Sequence, residues 1–330
     1  MPVRTEIIER LRDLPNLAIS EGTLLSRYTR FGIGGPADVY VETSDEPSFM
    51  QAFALARSDG ADYTVIGDGT NLIVSDSGFP GIVLRFTARH IHTQATTARA
   101  HAGAELQTLV DNCIDLGLKG LETMTGIPGS VGAAVYGNAG AYGHSIEERI
   151  QHVRFFDGNE VRSFNKSECE FHYRESIFKR HKNWIIFSAV LELDAAPADE
   201  LRKTAAEIFQ TRLAKYPPAM KCAGSIFKNL ILAELPVEVR RQIPERVIRE
   251  GKAPSAYFLE QVGAKGMRSG DIQVADYHAN LIYNAGQGTA RQLCEIIGEL
   301  KSRVRQQFGL ELEEEVQYVG FGKNGGSGAI

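Results

Sequence analysis

An α+β protein of two domains is predicted by three features of the 330-residue sequence. Strand-type and helix-type periods alternate through most of the chain with no repeat of fixed length. The length, at roughly 150 residues per domain, suits two domains or three small ones. A hydrophobic content of 43% is ample for buried cores. Acidic residues exceed basic ones only by 41 to 36, so no charge field selects nucleic acid or an anionic membrane as partner. A phosphate-bearing ligand then has to be held locally.

The elements follow in order. Ser44-Asp45-Glu46-Pro47 reads as a capped helix start, with Phe49, Met50, Phe53 and Ala54 at helical spacing and Asp59-Gly60 as the stop. Tyr63 to Ile66, Leu72 to Val74 and Ile82 to Phe86 are short strand-type runs between glycine turns. Leu106, Leu109, Val110, Cys113 and Ile114 mark a second helix that stops at Gly117. From Gly117 to Gly143 there are eight glycines in 27 residues, which predicts an ordered loop and neither helix nor ordinary strand. Val153 to Val161 reads as a hairpin turning at Asp157-Gly158-Asn159, followed by a strand at Trp184 to Leu193. A helix with Leu201, Ala205, Ile208 and Phe209 on its core face ends before Pro217-Pro218, where the main domain boundary is expected.

In the last third, Ser255 to Val262 reads as a helix and Leu281 to Tyr283 as a strand. Thr289 and Gln292 form a capping box for a long helix buried through Leu293, Ile296, Ile297, Leu300, Val304 and Phe308, ending at Gly309. A final strand is expected from Leu310 to Val319. The predicted division is residues 1–215, in two subdomains of about 1–88 and 89–215, then 216–320, then a disordered glycine-rich tail at 321–330.

Several function classes lose support. Met1 to Asp13 carries charges and no signal-type apolar run, and no 18 consecutive apolar residues occur, so a cytoplasmic protein is expected. Cys113, Cys169, Cys222 and Cys294 are far apart, which favours reduced core thiols over disulfides or zinc. The eight histidines lack metal-ligand spacing and no Walker lysine follows a glycine loop; no metal is expected. Gly32-x-Gly34-x-x-Ala37 formally matches a Rossmann fingerprint, but Asp38 to Val41 reads as a strand where a helix is required.

Two other glycine loops offer more. Gly67-Asp68-Gly69-Thr70-Asn71-Leu72 joins two strand runs and has the small residues of an anion-binding nest, though a plain turn is at least as good a description. In Gly126-Ile127-Pro128-Gly129-Ser130-Val131-Gly132 the glycines permit close backbone approach to a ligand. Together the two loops favour a large phosphorylated cofactor.

Six segments in order carry a resemblance: Thr29 to Gly35, residues 66–76 (IGDGTNLIVSD), residues 126–143 (GIPGSVGAAVYGNAGAYG), Tyr173-Arg174-Glu175-Ser176, residues 224–229 (GSIFKN) and residues 312–316 (LEEEV). From about Leu25 to Gly320 the chain resembles the UDP-N-acetylenolpyruvoylglucosamine reductases. The resemblance implies a vanillyl-alcohol-oxidase/PCMH-type FAD-binding domain followed by a smaller substrate domain. It implies FAD held by Gly67 to Leu72 and by Gly126, Ile127, Pro128, Gly129, Ser130, Gly132 and Ala133, with NADPH as reductant. Ala133 and Gly137 stand where many members carry another glycine and a bulkier residue, and Gln317 where arginine is common. The 51 positions from Arg174 to Ser225 resemble the shorter subclass, so no substrate-capping tyrosine is expected.

In such a reductase, hydride passes from flavin N5 to C3 of an enolpyruvyl ether of UDP-N-acetylglucosamine, and a proton reaches C2. By resemblance, Arg174 steadies the charge that spreads into the substrate carboxylate, where an always-charged bidentate guanidinium suits the task. Read alone, Arg174 is better described as part of a surface salt bridge, to Glu175 for example, and only the other motifs reverse that order. Glu315 matches the acid at the enolate; the acidic run Glu311 to Glu315 is otherwise a solvated face, and alternation does not separate Glu313 from Glu315. Ser225 matches the proton donor to C2, with Lys228 as a basic neighbour, although Gly-Ser is also a common turn. Lys215 and Asn229 match substrate-binding positions. The partner implied is a small UDP-sugar, with oligomeric state open. The alternatives are an FAD-dependent oxidase of the same fold, whose frequent cysteine tether is missing from both loops, and a non-catalytic nucleotide-binding protein.

Overall fold

The computed structural model describes residues 3–58 and 60–322. Asp59, half of the expected stop after the first long helix, and the expected tail from residue 323 onward lie outside the described residues. Phe321, which the sequence assigns to that tail, packs edge-on against Tyr318 at 5.3 Å.

The chain is α+β and forms two compact units, each with its own apolar core. The first takes in the described residues of Met1–Thr23, Ala37–Gly69 and Pro80–Ala214; the second those of Leu24–Pro36, Thr70–Phe79 and Lys215–Ile330. A single cut near residue 215 therefore does not divide them, because residues 24–36 and 70–79 fold with the C-terminal unit. Hydrogen bonding explains this. Strand Leu72–Val74 pairs in parallel with strand Gln317–Val319, in register from Leu72 opposite Gln317 to Val74 opposite Val319. Phe31, Ile33 and Ile73 complete the second core.

The first unit is built on two sheets. One runs in the order Ala18–Leu24, Pro36–Thr43, Phe79–Phe86, Tyr63–Ile66. The other is antiparallel, in the order Val161–Asn165, Ile150–Phe156, Ile185–Glu192, Thr97–His101, Ile91–Gln94. Helix Glu46–Ser58 starts where Asp45 Oδ2 accepts the Ser48 N–H at 2.9 Å, which satisfies one of the open amides of the first turn. Its Phe49, Ala52, Phe53 and Ala56 face the core, with Phe53 edge-on to Tyr63 at 5.0 Å and to Phe156 at 5.7 Å.

The expected hairpin turns as written, with Asp157 Oδ1 accepting from the amides of Asn159 and Glu160 at 2.8 and 2.9 Å. Helix Ala198–Lys215 buries Leu201 and Ala205 but leaves Phe209 42% exposed, so the predicted core stripe fades over its second half.

Two further expectations need correction. The glycine-dense stretch contains a six-residue helix, Val131–Tyr136, started by Ser130, whose Oγ accepts the Ala133 N–H at 3.3 Å. Glycine is tolerated here because Gly132 lies so close to Ala102 that a Cβ would stand 2.7 Å from the alanine methyl; packing overrides propensity. The final strand is confined to Gln317–Val319, residues 309–316 being irregular apart from one bridge, from Glu314 to Phe227.

Gly34 of the failed Rossmann match and the adjoining Gly35 also have a packing reason, since a Cβ on Gly34 would stand 2.8 Å from that of Val74. Gly35 donates to the Ser75 carbonyl at 2.8 Å and leaves no room for a Cβ against the Asp76 carbonyl. They seat residues 34–35 against residues 74–78 within the second unit.

In that unit a sheet of Arg268–Ser269, Ile272–Ala275 and His278–Asn284 packs with helices Ser255–Gln261 and Ala290–Phe308. Thr289 and Gln292 form the capping box that the sequence predicts, and the last helix ends at Gly309, φ +66°. Replacing Gly132 by Ala is expected to destabilise the protein by about 1–3 kcal/mol through overpacking against Ala102. Urea unfolding measures it; an unchanged midpoint contradicts the packing argument.

Candidate active site

In the first unit the two glycine loops meet. A Cβ on Gly67 would lie 3.2 Å from Ser130 Oγ and 3.7 Å from Ala133 Cβ. Asp68, an awkward neighbour for an anionic ligand, is neutralised by Arg85, whose Nη2 is 2.6 Å from its Oδ1. Most amides of the second loop are engaged by protein. Gly126 donates to Gln107 Oε1, Ile127 to Met124, Val131 to Ala104 and Gly132 to Ala102, and Ala133 donates to Ser130 Oγ. That leaves Gly129 and Ser130 as the loop amides with no protein acceptor among the described residues. Small side chains, a neutralised carboxylate and a loop braced from behind fit a cofactor with a diphosphate. The remaining expected cofactor residues, Thr70, Asn71 and Leu72, belong to the second unit.

Arg174 sits at the tip of a tight turn closed by two bonds between His172 and Glu175, each 3.0 Å. Its φ is +59°, a conformation that costs a non-glycine residue roughly 1 kcal/mol and must be held by its surroundings. Buried Asn138 donates from Nδ2 to the His172 carbonyl at 2.8 Å, and Ser176 Oγ donates to the Tyr136 carbonyl at 2.7 Å. The guanidinium donates through Nη2 to the Gly140 carbonyl at 2.8 Å and lies 5.2 Å from the centre of the Tyr173 ring. Glu175 pairs with Lys179 at 2.9 Å. Sequence reading singled out Arg174 but not Asn138, whose only local signal is an asparagine between glycines.

An open cleft of about 830 Å³ on this unit includes His152, Lys166, Glu170 and His172 but none of the expected site residues.

In the second unit, residues 224–228 run as an extended segment between two others. On one side Ser225 bridges Leu281, Ile226 donates to the Asn280 carbonyl, and the buried Asn280 side chain accepts the Phe227 N–H at 2.9 Å and donates to the Phe227 carbonyl at 2.8 Å. On the other side Lys228 donates to the Glu313 carbonyl at 2.9 Å and the Glu315 N–H donates to Ile226 at 2.7 Å. Ser225 and Glu315 are thereby brought onto neighbouring backbone segments. Glu313 is separated from Glu315 here, since its carboxylate pairs with the buried Lys228 ammonium, while Glu314 pairs with Lys301 at 2.8 Å. Gly224, φ +79°, has no atom within 4 Å of where a Cβ would stand, so the space beside Ser225 is open.

Tyr216, which the sequence reading passed over, places its hydroxyl 3.5 Å from Ser225 Oγ and its ring 5.0 Å from Lys215 Nζ. Asn229 Oδ1 accepts the Ser255 N–H at 3.4 Å. His278 accepts the Asn280 N–H on Nδ1 at 3.1 Å. Burial, and then the nearby Lys215 charge, push its pKa down from 6.5 to about 4. Among the described residues no group of three His, Cys, Asp or Glu is placed to hold a metal, and no helix is long and apolar enough to cross a membrane. Cys113, Cys169 and Cys222 are buried thiols and Cys294 is half-buried.

Comparison with known proteins defines the class first. Residues 37–161 match the FAD binding domain, and residues 216–319 match the C-terminal domain of UDP-N-acetylenolpyruvoylglucosamine reductase. The chain is 64% identical to the reductase of that name from Solibacter usitatus, over 94% of this chain and all of that protein. It is 35% identical to the one from Rubrobacter xylanophilus, covering 90% of this chain and 93% of that one. The crystal structure of UDP-N-acetylenolpyruvylglucosamine reductase from Thermus caldophilus superposes with a TM-score of 0.72 at 29% identity, covering 92% of this chain and 99% of that one. The chain belongs to the UDP-N-acetylenolpyruvoylglucosamine reductase family, FAD-dependent oxidoreductases.

One prediction concerns acid stability. The folded pKa of His278 lies below its unfolded value, so the unfolded chain takes the proton first as pH falls. Its contribution is complete above about pH 6.5 and is lost on the way down to about pH 4. His278→Asn should therefore flatten the melting temperature across that window relative to the parent. Parallel curves contradict the assignment.

Proposed function

We propose that this protein carries out the NADPH-dependent reduction of UDP-N-acetylglucosamine-enolpyruvate to UDP-N-acetylmuramate for peptidoglycan synthesis, acting in the cytoplasm. The observation that carries this reading is the hydrogen bond from Glu315 to Ile226, which sets the two candidate proton-handling residues, Ser225 and Glu315, on adjoining segments. FAD, once reduced by NADPH, would supply the hydride that adds to C3 of the enol ether. Negative charge then builds at C2 and spreads into the neighbouring carboxylate.

Arg174 binds that carboxylate. A preorganised cation at a site of developing charge contributes about 3 kcal/mol, or roughly two powers of ten in rate. The turn that holds the Arg174 backbone supports the role, because an orienting group must not reorganise as charge appears. Ser225 gives its hydroxyl proton to C2, and Glu315 acts as a protonated or proton-shared acid at the enolate, since a bare carboxylate there would repel the charge. Lys215 and Asn229 contact the phosphate and sugar groups of the substrate or of NADPH. Gly67, Asp68, Gly69, Thr70, Leu72, Gly126, Ile127, Pro128, Gly129, Ser130, Gly132 and Ala133 hold the cofactor.

Anaerobic absorbance provides the test. NADPH should bleach the yellow protein and the enol ether should restore its colour. In stopped flow, Ser225→Ala should be reduced by NADPH at a near-normal rate, while its reoxidation by substrate slows by about 10² or more. Unchanged reoxidation removes Ser225 from the mechanism.

A further inference from the structure

The backbone of Glu315 is gripped from both sides. Its N–H donates to Ile226, and its carbonyl accepts Nδ2 of Asn71 at 2.8 Å. Two residues on, the Gln317 N–H donates to the Asn71 carbonyl at 2.9 Å, and there the parallel pairing of Leu72–Val74 with Gln317–Val319 begins. All of these residues lie in the second unit. Asn71 ends the glycine loop whose sequence suggests cofactor binding, yet its amide donor and its carbonyl are both turned to the segment that bears Glu315.

We propose that Asn71 is a positioning residue for Glu315, and that its side chain serves the acid and not the cofactor. The proposal rests on the reading of Glu315 as the acid at the enolate. A carboxamide suits the task because it is short, has few rotamers and offers a neutral donor to the carbonyl. Aspartate in the same shape would set a carboxylate oxygen against that carbonyl. Residues 309–316 have no continuous strand to fix them, so the Asn71 and Ile226 contacts set where Glu315 stands. A displacement of about 1 Å at a reacting group can cost up to roughly 10²-fold in rate.

The test uses the FAD-loaded protein and, for affinity, the apoprotein titrated with FAD by flavin fluorescence. Asn71→Ala and the isosteric Asn71→Asp should bind FAD within about threefold of the parent and be reduced by NADPH at a near-parental rate. Reoxidation by the enol ether should slow roughly tenfold or more, with Glu315→Ala slowed at least as much. The double variant Asn71→Ala/Glu315→Ala should be no slower than Glu315→Ala alone, since removing the acid removes what Asn71 positions. FAD affinity lowered tenfold or more with reoxidation intact overturns the proposal and makes Asn71 a cofactor ligand. Additive slowing in the double variant also overturns it. If Glu315→Ala reoxidises normally, the reading of Glu315 fails first, which separates that failure from failure of the Asn71 inference. Asn71→Asp keeps the comparison decisive should Asn71→Ala fail to fold.

Discussion

The second unit depends on one buried carboxamide. Asn280, 2% exposed, closes a two-bond ring with the backbone of Phe227, accepting its N–H and donating to its carbonyl. Without it, both backbone groups would be buried with no partner, at a cost of about 1–3 kcal/mol each. With it, residues 224–228 are fixed against strand His278–Asn284, and their other edge is free to take residues 313–315. The positions of Ser225, Glu315 and the Lys228–Glu313 pair all follow from that placement. Phe227 strengthens it from below as one of the fully buried aromatic side chains of the second core.

The first unit solves a different problem by the same means. Its candidate residues lie on turns, and turns are held by their polar groups. Arg174 keeps a left-handed backbone because Asn138, Ser176 and Lys179 bond to or across its turn, Lys179 through the Arg174 carbonyl at 2.9 Å. The loop at residues 126–133 is held the same way, with most of its amides used internally. Glycine in these segments mainly permits close packing, as Gly132 does against Ala102; amides without a protein acceptor are a minority.

Local chemistry was legible in the sequence wherever it decided the structure. Tyr63–Ile66 and Leu72–Val74 form as their β-type runs predict, and the Thr289/Gln292 box starts the last helix. The family and its cofactor were legible through six motifs in order, none of them sufficient alone. What sequence could not supply is pairing at a distance. The partnership of Leu72–Val74 with Gln317–Val319 makes the units discontinuous, and no periodicity encodes it. The helix Val131–Tyr136 was hidden because three glycines in and just before it, Gly126, Gly129 and Gly132, lower helix propensity, while the Ser130 cap and burial against the core outweigh that cost. Phe209 reads as core by spacing yet is exposed. Of the acidic run, only the contacts tell its members apart, Glu313 to Lys228, Glu314 to Lys301, and Glu315 held through its backbone.

One interlocked segment fixes both candidate proton-handling residues, Ser225 and Glu315. Native-state hydrogen exchange of the Phe227, Lys228 and Glu315 amides tests it most directly. The account predicts that all three exchange only through cooperative opening of the second unit, with similar and high protection, and that Asn280→Ala lowers all three together. Rapid exchange at Glu315 while Phe227 stays protected would contradict it.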